Sequence, residues 1–324
     1  MYYNKSLGKP LFILAPMDDV TDTAFRQIIS RCASPDLCFS EFVNVDGLAS
    51  TGREKLLDKL SRDPSEPPLI AHIWGLNPNN FSLIADQVSS GFLRTELGED
   101  TEYAGIDLNM GCPVRTVIKN GACSALISNR PLAAKIIAAV KLGAAGRLPI
   151  SVKTRLGYNT IDSDWTKFLL SQGLDMLTIH LRTVKEMSKV PAHYEELDRI
   201  KKERDMLSPN TLLIANGDIE DYQQGLNLVE QFGIDGVMIG RGIFKDPYVF
   251  KPNSPWEQLD SDHKIDLFRQ HIELYLKTEK EPNRGLRRLN KYARIYINGF
   301  DGAKEIRERL TEANSIEQML ATLC

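Results

Sequence analysis

The pentapeptide Asn109-Met110-Gly111-Cys112-Pro113 sets a single thiol on a tight turn directly after the apolar run Ala104–Leu108. Gly111 allows close backbone approach and Pro113 lacks a ladder donor, so a strand stops here and the sulfur is free to face a cleft. A free cysteine is also among the residues most often buried as inert filler, and this turn taken alone fits either use. Its neighbours in the chain favour chemistry. Other short apolar runs end in Ala15-Pro16-Met17, Glu41-Phe42, His72-Ile73-Trp74-Gly75, Lys153-Thr154-Arg155, His180-Leu181-Arg182-Thr183, Asn216-Gly217-Asp218 and Gly240-Arg241-Gly242.

Two of these ends suit an anion. Gly217 and the Gly240/Gly242 pair bare backbone N–H groups at the starts of helices and Arg241 adds a bidentate cation, which together predict a phosphate seat. Lys153 is expensive to bury without an anion or carbonyl beside it, and the electron-rich edge of a reduced flavin would meet that need. His180 viewed alone reads as a satisfied core histidine, and on the same rim it could also face the polar edge of that ring.

The elements that must position these residues follow from periodicity. Candidate strands are Leu11–Leu14, Leu37–Phe42, Leu69–Trp74, Gly105–Leu108, Ile150–Lys153, Met176–His180, Leu212–Ala215 and Gly236–Ile239. Helical patterns such as Pro131–Leu142 and Asp221–Phe232 lie between them. Strict alternation of near-continuously apolar strands with helices predicts an α/β fold, a (β/α)8 TIM barrel over residues 1–250, with the reactive residues at the carboxyl rim. Three prolines, Pro247, Pro252 and Pro255, then break the rhythm. From 254 to 324 the pattern is all helix and predicts a small all-α domain. There Arg284, Arg287, Arg288, Lys291 and Arg294 fall on one helical face, opposite Leu286, Leu289, Ala293, Ile297 and Phe300. Such a face is a solvated surface or a contact for an RNA backbone.

Composition sets the outer limits. The chain has 324 residues and a net charge of −3, so no bulk basicity announces a nucleic acid. No apolar run approaches the roughly 18 residues of a membrane helix, and the first residues do not pattern as a signal peptide. Five cysteines without a CxxC pair predict neither a disulfide framework nor a metal site, and a reducing, cytoplasmic setting.

Taken in order, the motifs resemble those of the tRNA-dihydrouridine synthases. The resemblance runs through Leu14–Met17 with Val20-Thr21-Asp22, Ser40-Glu41-Phe42, Asn109–Pro113, Val152–Gly157, Ile179–Thr183, Ile214–Asp218 and Val237–Gly242. Single motifs recur in other flavin barrels; the ordered set does not. It implies an FMN enzyme, recharged by NADPH, that reduces the C5=C6 bond of a uridine in tRNA and works as a monomer. Cys112 matches the proton donor, and Ala15, Pro16, Met17, Lys153, Asn216, Gly217, Asp218, Gly240 and Arg241 match positions contacting FMN. His180 matches a histidine facing the flavin. Glu41, Asn109 and Arg155, with Arg287, Arg288 and Lys291 of the helical domain, are the implied RNA contacts.

Two positions depart from the family pattern. His72 stands where a glutamine usually bonds the flavin ring, and Leu181 where a glycine usually follows the histidine. An imidazole can still make one hydrogen bond to a ring. In the implied reaction, hydride and proton reach C6 and C5 from opposite faces, so an acid stands across from the flavin. A thiol with an ordinary pKa near 8.5 would be mostly protonated there. No separate dinucleotide fingerprint is present, as expected if NADPH and RNA use one flavin face in turn. The residues leave other readings open: an FMN-dependent dehydrogenase of free pyrimidines, a non-catalytic tRNA-binding protein, or a flavin-free aldolase with Lys153 as Schiff base.

Overall fold

The computed structural model describes residues 9–98, 101–278 and 285–324. Nine strands form one sheet: β1 Leu11–Leu14, β2 Leu37–Phe39, β3 Val43–Asn44, β4 Leu69–Trp74, β5 Gly105–Met110, β6 Ile150–Arg155, β7 Met176–His180, β8 Leu212–Asn216 and β9 Gly236–Ile239. All pair in parallel, in the order β2-β1-β9-β8-β7-β6-β5-β4-β3, and a further β2–β4 pairing closes the ring. The result is a TIM barrel with eight staves, because β2 and β3 are two pieces of one.

That break corrects the expected strand Leu37–Phe42. The N–H of His72 is taken by Ser40 Oγ at 2.9 Å instead of by a strand carbonyl, so the ladder lapses and resumes at Val43↔Ile73. Phe42 is thereby turned to the barrel mouth. Strands β5, β6 and β8 run one or two residues further than expected, which puts Asn109, Arg155 and Asn216 on the strands themselves.

Period-2 alternation divides the side chains into two cores. Leu11, Ile13, Leu37, Phe39, Ile70, Met176, Leu212, Ile214 and Met238 fill the barrel interior. Phe12, Leu14, Ala71, Ile106, Leu108, Val152, Leu177 and Ile179 face outward onto the helices. One layer above the apolar plug the interior becomes polar, with His72 opposite Asp107 and Asp107 opposite Ser151 in register. Several barrel helices begin on side-chain caps that satisfy their free N–H groups, among them Asp22, Asn77, Asn129, Asp162 and Asp221.

Helix packing around the barrel is close enough to test. A Cβ added to Gly143, in the helix Arg130–Ala144, would lie 2.0 Å from the Ser82 carbonyl oxygen of the helix Pro78–Ser89. Gly→Ala inside a helix ordinarily stabilises by about 1 kcal/mol, whereas forcing apart packed backbone costs about 1–3 kcal/mol. Gly143→Ala is therefore expected to lower the melting temperature by a few degrees in a calorimetric scan, against the helix-propensity trend.

Beyond the barrel lie the helices Ser261–Thr278, Leu286–Tyr296, Ala303–Glu312 and Ile316–Thr322. Arg284 lies outside the described residues. Their apolar faces join the outer core through Thr23–Ala33: Phe25 stacks on Tyr292 at 5.4 Å and Phe268 on Tyr296 at 5.5 Å. No single helix among the described residues is long and apolar enough to cross a membrane.

Candidate active site

A cavity of about 530 Å³ opens at the carboxyl rim. It is lined by all eleven of the barrel residues expected to hold a cofactor, together with Cys112, Asn109 and Arg155. Three elements of backbone and side chain explain why the thiol faces it. Asn109 Oδ1 accepts the N–H groups of Gly111 at 3.1 Å and Cys112 at 2.9 Å, an Asx turn that folds the chain back at the strand end. Arg155 then ties the Gly111 carbonyl through Nε at 2.9 Å and the Thr183 and Met187 carbonyls through Nη1, both at 3.1 Å. Ser124 Oγ donates to the Cys112 carbonyl at 2.8 Å. The carbonyl end of Asn109 and the guanidinium of Arg155 are thus committed to holding the cysteine turn.

The ordinary thiol pKa expected for Cys112 is corrected here. A hydrogen bond from the Cys123 thiol lowers it to about 7, burial opposes that, and the Val114 N–H, Lys153 and Arg155 add to the lowering. The Cys123 thiol, buried and held at φ 52°, is pushed up, first by bonding Cys112 and then by burial. Sequence spacing gave Cys123 no role, because its partnership depends on the loop between the two cysteines folding back.

Across the mouth, burial and then the Arg155 charge lower Lys153 to about 8, while Asp107 and Cys112 act against them. Its Nζ donates to Asn216 Oδ1 at 3.1 Å, and Asn216 Nδ2 in turn donates to the Met238 carbonyl at 2.8 Å. His180 is held well below the usual imidazole range by burial and by Arg155, Lys153, Arg182 and Arg241. Arg182 Nη1 lies 3.2 Å from His180 Nε2, and since arginine only donates, that nitrogen is the acceptor. Gly217, at φ +121°, lets the chain pass His180 where a Cβ would sit 2.9 Å from the ring.

The residues of the expected anion seat, Gly217, Gly240, Gly242 and Arg241, all line this cavity, and Lys245, paired with Glu220 at 2.7 Å, lies beside them. Asp218 lies among them as a carboxylate held low chiefly by its hydrogen bond to Arg182. It also accepts the Ala192 N–H at 3.1 Å and lies 3.3 Å from Arg241 Nη2, so it orients the cations of the seat. Arg182, buried and central to this arrangement, was visible in the sequence only as one more strand-end residue. Leu181 points into the outer core, which removes this departure from the cavity.

Two expected RNA contacts are placed elsewhere. Glu41 is buried away from the cavity lining, where its Oε1 accepts the Asp19 N–H at 2.8 Å and burial raises its pKa despite Lys59. Arg288 does not share the solvent face of its helix. Its guanidinium bonds Asp22 Oδ2 at 3.1 Å and Asp19 Oδ1 at 2.9 Å, clamping the helix to the loop after β1, and Tyr292 donates to the Val20 carbonyl at 2.6 Å beside it. Arg287 and Lys291 instead line a second, shallower hollow with Arg294, Lys304 and Arg307.

A closed parallel barrel with a cationic, cysteine-bearing cavity at its carboxyl rim defines an α/β barrel with a candidate active site where such barrels carry theirs. Comparison with known proteins narrows the class. A sequence model of the dihydrouridine synthase family matches residues 13–324. A probable tRNA-dihydrouridine synthase of Staphylococcus aureus (strain COL) is 46% identical over 320 residues, covering 98% of this chain and 93% of that protein. Probable tRNA-dihydrouridine synthase 2 of Bacillus subtilis (strain 168) is 44% identical over 322 residues, covering 98% and 94%. A solved histamine dehydrogenase from Rhizobium sp. 4-9 superposes with a TM-score of 0.53 at 12% identity, over 85% of this chain and 51% of that one, and supports the fold alone. The chain belongs to the dihydrouridine synthase family.

Proposed function

We propose that this protein is a tRNA-dihydrouridine synthase that holds FMN in the rim cavity, takes reducing equivalents from NADPH and uses Cys112 to protonate the uracil ring. The observation that carries this reading is the convergence of every cofactor-type residue and the Cys112 thiol on one cavity of suitable size. The residues fit the group. Gly217, Gly240, Gly242, Arg241 and Lys245 would take the phosphate, and Ala15, Pro16, Met17, His72, Lys153, His180 and Asn216 would surround the ring. The reduced flavin, when bound, supplies the hydride.

The chain's own residues do the rest. Lys153 offers a cation to charge on the ring, and its lowered pKa keeps it responsive to that charge. Arg182 fixes His180 as a neutral ring with its donor on the other nitrogen. Cys112, poised near neutrality, holds the proton at Sγ, and Asn109 with Arg155 keeps the turn in place. The barrel over 1–250 would be the catalytic unit and 254–324 the tRNA-recognition region. A base must leave the RNA stack to enter the cavity, and the basic hollow of Arg287, Lys291, Lys304 and Arg307 offers the backbone a hold meanwhile. A dehydrogenase of free pyrimidines would leave that hollow without a use.

Mapping dihydrouridine in tRNA from cells lacking this gene tests the function directly. Loss at a defined position is expected, and an unchanged dihydrouridine pattern would contradict the reading. The hollow is tested separately with the pair Lys291→Glu and Lys304→Glu. Binding of tRNA should weaken, and the slope of log affinity against log salt should become shallower by about one per lost phosphate contact.

A further inference from the structure

Resting on the flavin reading above, we infer that Asp107 and Ser151 form a buried relay that locks His72 as a hydrogen-bond acceptor, making Asp107 the positioning residue for the flavin's imide N–H. The relay consists of three side chains, His72, Asp107 and Ser151. All are fully buried and lie side by side on β4, β5 and β6, where the register sets His72 against Asp107 and Asp107 against Ser151. Ser151 Oγ donates to Asp107 Oδ1 at 2.5 Å, and His72 Nδ1 lies 2.7 Å from Asp107 Oδ2.

With Asp107 accepting at both oxygens, from Ser151 at one and from the ring at the other, the His72 proton stands on Nδ1. Its Nε2 is then a bare lone pair. Burial lowers the ring's pKa, with the Asp107 hydrogen bond and charge acting against that. Among the described residues Nε2 has no hydrogen-bond partner, although His72 lines the cavity and Phe42 packs against its ring at 5.0 Å between centroids. A buried acceptor left open costs free energy unless a ligand satisfies it. The ligand it fits is a planar heterocycle bearing an N–H donor, and flavin offers one at N3 between two carbonyls. The glutamine usual at this position can present its carbonyl without help. A histidine cannot, because its acceptor nitrogen exists only in one tautomer, and the tautomer is set by what bonds the other nitrogen.

Asp107→Asn reverses that choice. The amide NH2 can donate to His72 Nδ1, which moves the ring proton to Nε2 and sets a donor against a donor. Two measurements decide the matter. In long-range proton–nitrogen correlation spectra, with the His72 signal assigned by His72→Gln among the five histidines, the wild-type protein should show the Nδ1–H tautomer and Asp107→Asn the Nε2–H tautomer. In FMN titrations, Asp107→Asn should weaken binding about tenfold or more in the wild-type background. It should change binding by less than about twofold in the His72→Gln background, where the glutamine carbonyl accepts unaided. An Nε2–H tautomer in the wild type would overturn the inference. So would an equal loss in both backgrounds, which would make Asp107 merely structural. A wild-type protein that takes up no FMN at all would overturn the flavin reading itself, and this inference with it.

Discussion

Cys112→Ala is expected to yield a yellow protein that NADPH still reduces but that forms dihydrouridine more slowly by about 10²–10⁴-fold, the usual contribution of a positioned acid. The separation of the two half-reactions is the informative part. Cys112 stands on a turn held by Asn109, Arg155 and Ser124, none of which the substitution removes, so the cavity and its anion seat should survive it. Hydride delivery without a proton source at the opposite face leaves the ring unable to complete the reduction. Flavin absorbance at equilibrium and its bleaching by NADPH should match the wild type, while dihydrouridine per tRNA falls. An equal loss in both half-reactions would mean that the thiol supports the cavity instead of donating a proton.

Lys153→Met should move stability and ligand affinity in opposite directions. The folded protein holds this ammonium below its ordinary pKa, to about 8, chiefly because burial disfavours the charged form. A group with a depressed lysine pKa costs stability at neutral pH, and the cost fades as pH rises from about 8 through the unfolded value near 10.4. An apolar side chain of similar length removes that cost, so the ligand-free variant should melt at or above the wild-type temperature at pH 7. The same change removes a charged hydrogen-bond donor from the ring edge, worth about 1.5–3 kcal/mol, or roughly ten- to a hundredfold in FMN affinity. A less stable variant with unchanged FMN binding would place Lys153 among structural residues.

Much of this arrangement was legible because barrels write their interior in period two. Strand ends carrying Cys112, Lys153, His180, Asn216 and Arg241 could be read directly, and they meet at one cavity. What stayed hidden depends on contacts between distant segments. The gap in the second stave arises because Ser40 Oγ replaces a carbonyl as the partner of the His72 N–H, which no propensity encodes. Arg288 looks like a surface cation until the loop holding Asp19 and Asp22 comes within reach, and Glu41 looks like a rim residue until that loop folds over it. Asp107 sits within an apolar run, and its two donors lie 35 and 44 positions away, so its role is not encoded locally. Cys123 lies close to Cys112 in sequence, but their contact exists only because the loop between them folds back.

The central step of the proposed reaction is the transfer of a proton from Cys112 Sγ. The most direct test is the pH dependence of the rate at which tRNA reoxidises the prereduced FMN-loaded protein, measured in single turnover from pH 6 to 9. Because the acid form is the active one and its pKa in the free protein is about 7, the rate should be flat at low pH. Above the break it should fall tenfold per pH unit, and Cys112→Ser should be slow with that break gone. A wild-type rate independent of pH across this range, or an identical break in Cys112→Ser, would contradict the assignment.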